Sequence, residues 1–143
     1  MLKEIMVSEG VILMTRIVAT IVFLAHGIGH FLFWANSWGL WKTQDARAGL
    51  FNGIFSTSQT VEGMVGGLWL IPLLGFVLSA WGCYERSSWW RTTALISALL
   101  SAMFIGLWWN SLSLPSAVFA LIVDAGITVA LIWQHNGGLI HEA

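Results

Sequence analysis

Four apolar stretches, each about as long as a lipid bilayer is thick, constrain what this 143-residue chain can fold into. They cover residues 17–34, 64–82, 92–109 and 115–133. At about 1.5 Å per residue each makes a helix of roughly 27–28 Å, the depth of the hydrocarbon layer. Lipid offers no partner to a free backbone N–H or C=O, so open strands are excluded and helices are required. The expected fold is all-α: one integral membrane domain built as a four-transmembrane-helix bundle. Only 9% of the residues are charged, where a soluble domain carries about 25%, which points to lipid as the solvent. The first stretch extends readily by a turn through Val11–Thr15, and Pro115 suits the first turn of the last helix. Gly137-Gly138 is the expected end of that helix.

Two short connections, residues 83–91 and 110–114, contrast with an outer loop over 35–63. Within that loop, ARAGLFNGIF at 46–55 fits a short amphipathic surface helix and an irregular packed loop equally well. Four crossings put both termini on one side, together with Lys3, Arg16, Arg86 and Arg91. Lys42 and Arg47 lie opposite, so the positive-inside rule makes the termini cytoplasmic. The N-terminal MLKEIMVSEGVILMTR holds acids and lacks a small-residue cleavage site, so the first stretch reads as a retained span. A formal net charge of −1 gives no electrostatic footprint for nucleic acid. The lone Cys83 excludes an internal disulfide and a cysteine-based metal cluster. Ten tryptophans, many near the ends of the apolar stretches, match interfacial belts.

The chemistry-bearing residues lie in the middle of these stretches. Residues 17–34 centre between Ala25 and His26, 92–109 centre at Leu100–Ser101, and 115–133 centre on Asp124. The second stretch centres on Leu73 beside Pro72, whose missing N–H frees the carbonyl of Leu68. An ionised Asp at mid-membrane costs about 2.5–3.5 kcal/mol even on lenient insertion scales. Asp124 is therefore expected to face the bundle interior and either meet a donor or keep its proton. His26, at the same depth on an antiparallel helix, is the natural partner. That pair is either a proton-handling or ligand-anchoring site, or a buried bond that fixes helix register. His30 shares the face of His26 by i,i+4 spacing, about one turn nearer the outer surface. Glu62, at the outer start of the second helix, lies within its reach, and also suits a solvated helix N-terminus.

A two-histidine, two-carboxylate set of His26, His30, Asp124 and Glu62 falls short of a carboxylate-bridged di-iron site. The remaining histidines, His135 and His141, lie a membrane away from His30, which disfavours bis-histidine haem. Small residues Gly27, Gly29, Gly63, Gly66, Gly67, Ser97, Ser101, Ala125 and Gly126 are expected to allow close helix approach. Ser97 and Ser101 share a face and can bond within their helix or to a neighbour.

The pattern TRIVATIVFLAHGIGHFLFW, then VEGMVGGLWLIPLLGFVLSAWG, then SSWWRTTALISALLSAM, then a helix with a central polar residue, resembles small four-helix bacterial membrane proteins. It is similar to the DoxX-like superfamily over nearly the whole chain, through the HGIGH run, the glycine-rich start of the second helix and the WWR before the third. The resemblance implies a multi-pass protein of the bacterial inner membrane, associated with redox chemistry and with a quinone or lipid as the expected small ligand. The leading expectation is an accessory or ligand-binding subunit of a larger membrane complex or homo-oligomer, because no segment is long enough for a soluble catalytic domain. The alternatives are a stand-alone membrane oxidoreductase and a purely structural subunit. Cys83, far from the His/Asp layer, argues against a thiol–disulfide relay.

Overall fold

A computed structural model describes residues 2–38, 40, 64, 66–109 and 112–140. It contains helices α1 (Leu2–Ser37), α2 (Leu70–Tyr84), α3 (Trp90–Leu107) and α4 (Leu114–Ile140), with a 3-10 turn at Gly67–Trp69 leading into α2. Four segments within these elements are long and apolar enough to cross a bilayer: Ile12–Ala35, Gly67–Tyr84, Trp90–Leu107 and Leu114–Gln134. Large apolar side chains such as Ile21, Ile28, Leu74, Leu99, Phe119 and Ile122 cover the outside of the bundle. A surface of that kind is matched to lipid tails, and the chain is a multi-pass membrane protein.

The helix ends differ from the sequence expectation in instructive ways. α1 begins at Leu2, well before residue 17, because helix-favouring Leu, Lys, Glu, Ile and Met continue the ladder beyond the bilayer. The described part of the second crossing runs from Gly67 to Tyr84, two residues beyond the expected Gly82. Pro72 is the third residue of α2 and follows a 3-10 turn, so its missing N–H falls in a first turn that needs no donor. The third crossing sits two residues earlier than expected, from Trp90. Gly137-Gly138 does not stop α4, which runs to Ile140. The candidate amphipathic segment 46–55, Glu62, and the 35–63 loop beyond residue 40 lie outside the described residues.

Neighbouring helices run antiparallel. The Arg16 guanidinium of α1 donates to the carbonyls of Cys83 and Tyr84 at the C-terminus of α2, where a cation also complements the helix dipole. α2 then turns sharply: Ser87 N–H bonds to Gly82 O at 2.9 Å, with Arg86 in the left-handed region at φ 60. That geometry is a Schellman-type cap, which usually employs glycine. Arg16, Arg86 and Arg91 thus gather at one end of the bundle. At the other end, Ser113 caps α4, its Oγ accepting from the N–H of Ser116 at 3.4 Å.

Two apolar clusters fill the interior. Phe23, Phe76, Ala80, Cys83, Ala94, Ala98, Ile127 and Leu131 occupy the half nearer the arginines. Trp69, Phe104, Ile105, Trp108 and Ala117 occupy the other half, with Phe33 packed against them. Trp38, Trp81, Trp89 and Trp133 are exposed, as belt residues are, but Trp69 and Trp108 are core. Among the expected close-approach residues, Gly27 packs against Leu73 and Phe76, whereas Gly29, Gly67 and Gly126 face open space. The tight contacts are at Gly75 against Ser97 and at Gly82 against Trp89 and Trp90.

Candidate functional site

Between the two apolar clusters lies a polar layer to which three helices contribute. His26 from α1, Ser101 from α3 and Asp124 from α4 meet at the depth that the midpoints of their stretches indicate. His26 Nε2 and Asp124 Oδ1 are 2.8 Å apart. Ser101 Oγ donates to the other carboxylate oxygen, Oδ2, at 2.6 Å, and lies 3.4 Å from the same imidazole nitrogen. Asp124 is only 2% exposed, and Ser101 is fully buried. Helical spacing supports the cluster from below: Thr128 Oγ1, one turn further along α4, donates to the backbone carbonyl of Asp124 at 2.8 Å.

The chemistry this permits is the sharing of a proton. An imidazole N–H can donate to an ionised carboxylate, or a carboxylic O–H can donate to a neutral imidazole, across the same 2.8 Å. Ser101 serves both forms, because its hydroxyl donates to an oxygen that accepts in either. In low dielectric such short, mutually oriented bonds are strong, and their disruption is costly.

Phe76 of α2 closes the layer from the fourth helix. Its ring meets His26 edge-on at 4.8 Å and 84°. His26 also meets His30 edge-on, with centroids 5.1 Å apart, as the i,i+4 spacing requires. His30 stacks against two rings, Phe76 at 5.8 Å and 11° and Trp69 at 5.4 Å and 29°. Around Trp69 stand Phe33 at 4.3 Å, Phe104 at 5.9 Å and Trp108 at 5.7 Å. His30 Nε2 and Trp69 Nε1 are buried and have no hydrogen-bond partner.

The sequence-derived residues therefore divide. His26, Asp124 and Ser101 converge, and His30 adjoins them through ring contact alone. Glu62 lies outside the described residues. Ser97 stays within its own helix, donating to Thr93 O at 2.7 Å, and Ser79 does the same to Gly75 O. Among the described residues no three His, Cys, Asp or Glu side chains come together as a metal-ligand set. Phe76 and Trp69 were not among the expected site residues. Their seven-residue spacing places both on one helix face, which was the available signal. No protein-family model, curated protein or solved structure matches the chain.

Proposed function

We propose that the chain is an accessory subunit of a larger, quinone-linked or otherwise redox-active complex in the bacterial plasma membrane. In this reading its His26–Asp124–Ser101 cluster handles a proton in the membrane interior. The observation that carries the reading is the buried carboxylate with each oxygen held by a different helix. Ionisable groups at such depth are expensive, and where they occur they mark proton or substrate paths. Because both oxygens of Asp124 are engaged from within, proton handling suits the cluster better than direct ligation of a head group. The arginines at one end favour that end, and with it both termini, as cytoplasmic. The redox association rests on the resemblance to DoxX-like proteins.

Purification from native membranes in mild detergent, with mass spectrometry of all that accompanies the chain, tests both halves of the reading. Subunits of a redox complex are expected to accompany the wild type, and Asp124→Asn is expected to impair that complex's proton-coupled turnover. A chain that always purifies alone removes the accessory role. A complex with full turnover in Asp124→Asn removes the proton-handling role.

A further inference from the structure

We infer that the aromatic box one helical turn beyond the His26–Asp124–Ser101 cluster takes up an oxygen acceptor, bound between His30 Nε2 and Trp69 Nε1. The other buried histidine, serine and aspartate side chains described in the interior are paired: His26, Ser101 and Asp124 with each other, Ser79 and Ser97 with carbonyls one turn back. These two nitrogens are the exceptions, and they belong to adjacent rings 5.4 Å apart and inclined by only 29°. An indole N–H can only donate, so what pairs with it must offer an acceptor. The surrounding side chains Phe33, Phe76, Phe104 and Trp108 offer no oxygen. A bilayer supplies no bulk solvent to compensate, so each orphan atom counts against the fold unless a guest satisfies it.

One oxygen atom meets both needs. A water accepts from Trp69 and donates to His30; a carbonyl of a bound amphiphile accepts from Trp69 and from His30 in its Nε2–H tautomer. The shared chemistry is a neutral oxygen among aromatic rings. Both nitrogens are closed off from the surface, so the guest is enclosed, and admitting it takes a shift of the surrounding rings. Its place has a consequence for the cluster. Asp124, His26 and His30 form a line from mid-membrane toward the end where α1 finishes and α2 begins, and the guest extends that line. The proposal thus places a polar guest beside the cluster, on the side where α1 finishes and α2 begins. It extends the proton-handling reading but fails separately from it, because Asp124→Asn leaves both orphan nitrogens in place.

The test is solid-state NMR on the full chain carrying 15N-indole and 15N-imidazole labels, reconstituted in synthetic phosphatidylcholine bilayers. Trp69 is assigned by loss of its signal in Trp69→Phe. Early magnetisation transfer from water to the Trp69 N–H is expected, falling several-fold in His30→Phe while the His26 signals stay put and show that the bundle is intact. If the guest is an amphiphile, Trp69 shows no water transfer. Its N–H is then shifted downfield in protein kept in native lipid, and returns on exchange into synthetic lipid. A Trp69 N–H with neither water transfer nor a lipid-dependent shift overturns the proposal, as does a water signal unchanged in His30→Phe.

Discussion

The His26–Asp124 contact can be weighed by replacing His26 with Phe and Asp124 with Leu, singly and together. Asp124→Leu strands two donors, His26 Nε2 at 2.8 Å and Ser101 Oγ at 2.6 Å. Ser101 has an alternative acceptor, the carbonyl one turn back, which Ser97 and Ser79 already use, so its loss is partly recovered. His26 retains only the 3.4 Å contact to Ser101. A hydrogen bond to a charged group contributes about 1.5–3 kcal/mol, so Asp124→Leu should destabilise the bundle by about 2–4 kcal/mol. His26→Phe leaves Oδ1 without a donor and should cost a similar amount. The double variant removes both stranded groups at once, and a coupling of about 2–3 kcal/mol is expected. Ordinary interhelical hydrogen bonds in membranes average roughly 0.6 kcal/mol and reach about 1.7, so the two cases separate clearly. Reversible unfolding in mixed micelles, followed by circular dichroism across the four-variant cycle, measures the coupling. A value at or below the ordinary average would refute the argument that this is a charge-assisted contact in low dielectric.

Further outcomes follow from the packing and from the helix ends. A Cβ at Gly75 would overlap Ser97 Oγ and approach Ser97 Cβ to 3.1 Å, so Gly75→Ala should destabilise by about 1–3 kcal/mol in the same unfolding assay. Adding Ser97→Ala should recover part of that loss, whereas Gly126→Ala, facing open space, should be neutral or gain up to about 1 kcal/mol. Arg86→Gly should stabilise by up to about 1 kcal/mol, since the left-handed conformation costs a side-chain-bearing residue about 1–2 and glycine's unfolded-state entropy returns part of it. Arg16→Gln should lower stability by about 1–2 kcal/mol through loss of the charged donor at the end of α2. A salt titration of unfolding should show little screening of that effect if the bonds to carbonyls, not a diffuse field, carry it.

The crossings were legible because length and hydropathy alone select helices in lipid, and the polar layer because three midpoints fell on His26, Ser101 and Asp124. Depth is a one-dimensional coordinate that a sequence supplies directly. Rotation about each helix axis is not, and the errors concentrate there. Gly29 and Gly126 point outward although they look like packing residues, and the close approach belongs to Gly75. Trp69 is of the residue type of an interfacial anchor but lies inside, stacked on His30. The expected end of α4 at Gly137-Gly138 lies within the helix, and α1 runs on past its span, for a related reason. Leaving the bilayer does not end a helix; only a lost hydrogen-bond ladder does, and neither Gly10 nor Gly137-Gly138 breaks it.

The same double variant bears on whether the cluster exists for stability at all. Among the described residues α1 packs along α2, α2 along α3, and α3 along α4, while α1 and α4 approach each other far less closely. His26–Asp124 is the polar link across that looser seam. Replacing a buried ion pair with hydrophobic residues of similar volume is often neutral or stabilising by about 1–4 kcal/mol, so stability alone does not require the pair. A His26→Phe/Asp124→Leu chain as stable as the wild type, yet inactive in its complex, would therefore assign the pair to proton handling. A double variant that unfolds more readily, in a complex that still turns over, would assign it to holding α4 against α1.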